Sequence, residues 1–142
     1  MELFNVLVVD DEKDFLITLV NRLKRRDLLA EGVESGEAAL KLMEEKSFDV
    51  IILDIKMPGG MDGIETLREI KKRQPLSEVI LLTGHASVET SIEGMKLGAF
   101  DYVLKPVKLE DLLPKMIEAF EKKNKHDQKI RSAKIKESLK YW

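Results

Sequence analysis

Asp10, Asp11 and Glu12 directly follow one short apolar run, Asp54 follows a second, Thr83 a third, and Lys105-Pro106 a fourth. Brought into one crevice, these residues make an acidic, hydroxyl and cationic set. Three carboxylates sharing a crevice repel and raise one another's pKa unless a hard cation lies among them. Oxygen-only ligation completed by water suits Mg²⁺, with Mn²⁺ as an alternative. Once the cluster is neutralised, a carboxylate can attack phosphorus. Metal, ammonium and hydroxyl would then share the charge on the equatorial oxygens. Every part of that list is present.

Such residues converge only if the runs before them lie side by side. Five runs can be counted: Val6 to Val9, Leu29 to Val33, Val50 to Leu53, Val79 to Leu82 and Tyr102 to Leu104. Three are nearly pure Val, Ile and Leu, the composition of strands covered on both faces. Between them, apolar residues recur at three- and four-residue spacing: Phe15, Leu16, Leu19, Val20 and Leu23; Ala39, Leu40 and Met43; Ile64, Leu67 and Ile70. The alternation predicts βα units on a parallel sheet. Ser35 stands at an N-cap position, Pro75 follows the third helix and Gly98 the fourth, so punctuation agrees with periodicity. In an open parallel sheet, ligands bind beyond the carboxyl ends of the strands, at the point where strand order reverses. The chemistry-bearing residues all fall there.

The chain has 142 residues, 44% of them hydrophobic, enough for one globular domain with a real core. A charged fraction of 35% balances to a net charge of -2, so the whole chain carries no field that would concentrate nucleic acid. Absence of cysteine excludes disulfides, thiolate metal sites and a thiol nucleophile, and fits a reducing compartment. The start MELFNVLVVDDE lacks a basic segment and a small-residue cleavage site, and no apolar run reaches membrane-spanning length. A soluble, cytoplasmic protein without membrane contact is expected.

The stretches VLVVDDE, VIILDIKMPGGMDGIE, VILLTGHAS and AFDYVLKP closely resemble, in order and spacing, the motifs of bacterial receiver domains of two-component response regulators. The resemblance covers about residues 4 to 123. It implies a flavodoxin-like, doubly wound five-stranded parallel sheet, (βα)5. Asp54 would be the phosphoacceptor for a histidine kinase, in a switch rather than a turnover enzyme. Asp10, Asp11 and Asp54 would hold Mg²⁺ together with the backbone carbonyl of Lys56. Thr83 and Lys105 would contact the phosphoryl oxygens, a cis Lys105-Pro106 bond would aim the lysine inward, and Tyr102 would be the switch aromatic that turns as Thr83 moves. The run from Gly84 to Leu112 resembles receivers of enhancer-dependent transcription regulators. One departure is the extra glycine in Met57-Pro58-Gly59-Gly60-Met61-Asp62-Gly63, where the family commonly reads MPGMDG. Retained phosphorylation with altered turnover is expected of it.

Each residue also has a plainer reading. An Asp after a buried strand often only caps the next helix, Thr83 alone would bond its own backbone, and Lys105 alone would be solvated. Tyr102 could be an ordinary half-buried strand residue. His85, two residues after Thr83, is read as neither ligand nor phosphodonor. A rival reading is a small phosphohydrolase with an aspartyl-phosphate intermediate, which usually carries a second catalytic Asp where this chain has Lys56. A nucleotide- or flavin-binding module on the same sheet lacks support, since acids replace a glycine-rich phosphate loop after the first strand. A binding module independent of phosphorylation stays open.

Output is expected on the last two βα units, with Met95, Leu97, Tyr102 and the helix from Leu109 as candidates for homodimer or target contact; Met95 and Leu97 could equally pack inward. Residues 121–142 hold eight Lys or Arg against three acids, a local charge of +5 that leaves -7 for residues 1–120. Residues 1–123 are read as one receiver domain and 124–142 as a basic tail, helical with an Ile135, Leu139, Trp142 stripe. That tail is a linker cut before an output domain, a docking or pairing extension, or a solvated end.

Overall fold

The apolar runs become strands, and helices cover both faces of the three most apolar, Val6 to Val9, Val50 to Leu53 and Val79 to Leu82. The computed structural model describes residues 3–84 and 88–140. Strands β1 (Asn5–Val9), β2 (Leu29–Val33), β3 (Val50–Asp54), β4 (Glu78–Thr83) and β5 (Asp101–Leu104) alternate with helices α1 (Lys13–Lys24), α2 (Gly36–Met43), α3 (Gly63–Arg73), α4 (Val88–Lys96) and α5 (Leu109–Leu139). The sheet is parallel with order β2-β1-β3-β4-β5. This is the expected doubly wound arrangement, and it reverses direction between β1 and β3.

Alternation along the strands divides the core in two. Val6, Val8, Val50, Ile52, Ile80, Leu82 and Val103 meet α1 and α5 through Leu16, Leu19, Leu23, Leu112 and Met116. Leu7, Val9, Ile51, Leu53, Val79 and Leu81 meet Leu40, Met43, Leu67 and Ile70 of α2 and α3 on the other face. Truncating one of the buried Leu, Ile or Met side chains to Ala costs about 2–5 kcal/mol.

The punctuation read from sequence has physical counterparts. Ser35 Oγ accepts the Ala38 N–H at 3.0 Å as the α2 N-cap. The chain leaves α4 through Gly98 at φ +107, the left-handed conformation that commonly ends a helix. Helix α4 offers the sheet only Ser91 and Gly94 as buried residues, while Val88, Ile92 and Met95 stay exposed. Leu97 instead packs partly buried against the α2/α3 face of the core, which removes it from the exposed output candidates. Helix α5 runs 31 residues without a break at residue 123, about 46 Å at 1.5 Å per residue. From Gln128 onward every described residue is exposed, Ile135 and Leu139 included. Trp142 of the anticipated stripe lies outside the described residues. No helix among the described residues is long and apolar enough to cross a membrane.

Candidate functional site

Strand register carries two carboxylates together. Val9 lies opposite Leu53 on the neighbouring strand, so the residues that follow, Asp10 and Asp54, sit side by side where strand order reverses. Side chains alternate, and Asp10, Asp54 and Lys105 keep the parity of Val8, Ile52 and Val103, which face α1 and α5. One carboxylate oxygen from each of Asp10, Asp11 and Asp54 falls within a 4.8 Å group. Asp10 is fully buried and Asp54 is 5% exposed, while Asp11 reaches solvent.

Among the described residues, one cation answers this negative charge. Lys105 Nζ lies 3.1 Å from Asp10 Oδ2 and 3.4 Å from Asp54 Oδ1, and stands 5.0 Å from the centre of the Phe15 ring. The Lys105-Pro106 bond is cis, as the resemblance implied. Burial opposes the lysine's charge, but Asp54 and Asp10 more than offset it and hold its pKa above the ordinary value. Burial first, and the Asp10 charge second, push Asp54 up to about 6 against the pull of Lys105 and the Lys56 N–H. Two buried carboxylates facing one lysine therefore retain a charge deficit. An oxygen-only donor set with that deficit fits a hard divalent cation. Glu12, the remaining acid of the run, occupies the N-cap position of α1 without a side-chain cap bond.

The loop after β3 wraps the nucleophile candidate. Lys56 N–H points at Asp54 Oδ1 across 3.4 Å. At its far end Gly63 N–H bonds the Ile55 carbonyl at 3.0 Å. A Cβ at position 63 would stand 2.5 Å from both the Asp54 carbonyl oxygen and Ile55 Cα, so only glycine lets α3 begin this close to the acid.

Thr83 and Tyr102 lie on the opposite parity, with Leu81 and the α2/α3 face. Thr83 is 1% exposed and its hydroxyl donates to the neighbouring Gly84 carbonyl at 3.0 Å, the local bond of the plainer reading. Tyr102 is half-buried, with Lys115 Nζ 5.7 Å from its ring centre and 2.8 Å from its carbonyl oxygen. The strand ends thus group the carboxylates of Asp10, Asp11 and Asp54 and set Lys105 against Asp10 and Asp54, with the Thr83 hydroxyl turned to a local partner. His85 lies outside the described residues.

Compared with known proteins, the chain matches the family model of the response regulator receiver domain over residues 6–117. This chain belongs to the response regulator receiver family. A putative response regulator, NtrX-like, of Rickettsia bellii is 40% identical over 114 residues, covering 80% of this chain and 24% of that protein. The transcriptional regulatory protein ZraR of Escherichia coli is 38% identical over 108 residues, 76% of this chain and 24% of its own length. Receiver and relatives accord with the expected likeness to enhancer-dependent transcription regulators. The chain spans about a quarter of the length of these curated relatives. Among solved structures, a response regulator receiver domain protein from Clostridium thermocellum superposes with a TM-score of 0.81 at 37% identity, over 85% of this chain and 97% of that one.

Three contacts of the receiver escaped sequence reasoning. Phe15 beneath Lys105 had registered only as a core position of α1. Lys115 over Tyr102, and Glu37 on the Met61 N–H, join residues 13 and 24 apart, beyond any local pattern.

Proposed function

We propose that this receiver is a phosphorylation-dependent switch in which Asp54 accepts a phosphoryl group from a phosphohistidine of a histidine kinase. The observation that carries the reading is the Asp54 carboxylate grouped with those of Asp10 and Asp11 and held 3.4 Å from the Lys105 ammonium. Asp10, Asp11 and Asp54, with the Lys56 carbonyl, are the residues that would hold Mg²⁺. Held there, Mg²⁺ would offset the charge of the acids and of the transferring group. Asp54 forms the new O–P bond as the P–N bond to the kinase histidine breaks, and the departing imidazole takes up a proton. Lys105 stays charged throughout and attracts the phosphoryl oxygens; Thr83 supplies a hydroxyl once it leaves the Gly84 carbonyl.

Thr83 and Tyr102 would report the new charge to the α4–β5 side, where Val88, Ile92, Met95 and Leu104 are exposed. That patch is the surface offered to a second copy or a downstream protein target. Residues 1–123 form the phosphoacceptor unit in this reading, and 124–142 connect it to a partner or output domain.

Intact mass after incubation with acetyl phosphate and Mg²⁺ tests the chemistry, with size-exclusion chromatography of the same samples. The wild type is expected to gain one phosphoryl group and Asp54→Ala none, with the adduct absent when metal is chelated. Failure of the wild type with acetyl phosphate, phosphoramidate and a panel of histidine kinases would leave a receiver that acts without phosphorylation. Sustained turnover of small phosphate esters would favour the phosphohydrolase instead.

A further inference from the structure

The loop from β3 to α3 carries the extra glycine beside the candidate nucleophile, yet a side chain from another helix grips it. Gly59 sits at φ +90, a backbone region that side-chain-bearing residues rarely adopt. Two residues on, Met61 N–H donates to Glu37 Oε1 at 2.6 Å, although Glu37 belongs to the first turn of α2. Its own backbone N–H and the Ser35 side chain also lower the pKa of this carboxylate. The Met61 bond is the largest influence holding Glu37 below the usual carboxylate range. Gly60 lies directly against it: a Cβ there would stand 3.1 Å from Glu37 Oε1.

The base of this contact is closely packed. A Cβ on Gly36 would fall 2.1 Å from Thr66 Oγ1, so the first turns of α2 and α3 touch at glycine contact distance. Thr66 is fully buried and its hydroxyl donates to the Asp62 carbonyl at 2.7 Å. Asp62 in turn caps α3 by accepting the Glu65 N–H at 2.8 Å. Between the fixed ends at Ile55 and Asp62, two adjacent glycines would otherwise leave the loop many conformations to lose.

We propose that Glu37 is a positioning residue for the phosphoryl site: its hold on Met61 keeps the lengthened Gly59-Gly60 loop, and with it the Lys56 backbone after Asp54, in one arrangement. The inference rests on the phosphoacceptor reading of Asp54 and adds how this chain accommodates its additional residue. Glu37 meets the loop at Met61 rather than at Asp54, so it would act through the loop.

Glu37→Ala, Glu37→Gln and a deletion of Gly60 test this, each alone, with Glu37→Ala also placed in the Gly60 deletion. Hydrogen exchange at the Met61 amide, read by NMR on unphosphorylated protein, should quicken on the order of tenfold in Glu37→Ala. It should stay near wild type in Glu37→Gln, which keeps an acceptor. Calorimetry should find Mg²⁺ binding about threefold weaker in Glu37→Ala, the Lys56 carbonyl being less well placed. Phosphorylation by acetyl phosphate should then need about threefold more Mg²⁺ and reach an unchanged rate at saturation. In the Gly60 deletion, Glu37→Ala should have less effect than in the full loop, since the freedom it restrains is gone. Unchanged Met61 exchange, or faster exchange with unchanged Mg²⁺ affinity, overturns the proposal. A wild type that binds Mg²⁺ but takes no phosphoryl group defeats the phosphoacceptor reading instead, and the exchange and calorimetry still decide the role of Glu37.

Discussion

The two ends of the sheet handle buried charge in opposite ways. At the carboxyl end, Asp10 and Asp54 face a single lysine, and Asp54 is pushed up to about 6. At the amino end, Asp49 and Glu78 meet three lysines. Lys123 Nζ lies 2.7 Å from Asp49 Oδ1, whose other oxygen accepts the Asn5 N–H at 2.8 Å. Glu78, 5% exposed, has Lys71 at 3.7 Å and Lys122 at 3.3 Å. Its Oε2 makes no well-aligned hydrogen bond, so its compensation is the Lys122 charge. One end holds acids in excess, as a binding site does; the other closes its charges on itself, as a structural joint does.

The largest effect is expected where the closed end is opened. Lys71 Nζ also donates to the carbonyls of Pro75 and Ser77, both at 3.0 Å. Burial lowers its pKa, with the Glu78 charge pulling the other way, so the ammonium is held at some cost. Lys71→Met leaves a buried carboxylate short of one partner and two carbonyls unbonded. A loss of about 3 kcal/mol in urea unfolding is expected. A loss below about 0.5 kcal/mol would mean that Lys122 alone neutralises Glu78, and the contrast between the ends would weaken.

At the open end, removing an acid should do the reverse. Asp54 binds a proton in the folded protein up to about pH 6, whereas its ordinary value is 3.8. Between those values the native state holds a proton that the unfolded chain has released, so this group makes stability fall as pH rises. The penalty is complete above the folded value and vanishes below the unfolded one. Metal-free Asp54→Asn should therefore be more stable than wild type by roughly 2 kcal/mol at pH 7.5, with the difference closing by about pH 4. Mg²⁺ should stabilise the wild type preferentially and narrow the gap. Equal stability of the two proteins across that range, without metal, would show that Lys105 already satisfies the cluster.

The open end was legible in the sequence and the closed end was not, for a geometric reason. Asp10, Asp54, Thr83 and Lys105 each follow an apolar run, and parallel strands in register bring the ends of such runs together whatever lies between. Lys71, Glu78 and Lys122 come from a helix, a strand start and a distant helix, and Asp49 and Lys123 are 74 residues apart. No local pattern links them. Alternation could have placed Asp54 and Lys105 on one side and Thr83 on the other, but only once strand starts were known to a single residue. The charge shift near residue 123 marks the start of the basic tail, and α5 passes straight through it, helical as expected. Composition changes there because core contact ends, and the backbone has no cause to break since the helix has already absorbed its one proline, Pro114.

The smallest effect lies where α5 leaves the body. Phe120 stacks on Phe4 with ring centres 4.6 Å apart, and three residues later Lys123 reaches Asp49. Beyond it, from Gln128, nothing buries the helix, and an unpacked segment of that length is marginal in water. Lys123 is therefore the last strong tie before the free stretch. Both side chains are under a fifth exposed, at 19% and 17%, which limits screening. Lys123→Ala should cost about 1 kcal/mol of global stability, because Asp49 keeps the Asn5 N–H and can recruit water. Its local signature should be clearer: faster amide exchange in residues 120–130 with exchange around Asp54 unchanged. A change that reached Asp54 would mean the two ends are coupled through the sheet, and the division drawn between a strained site and a closed joint would have to be replaced by a single charge network.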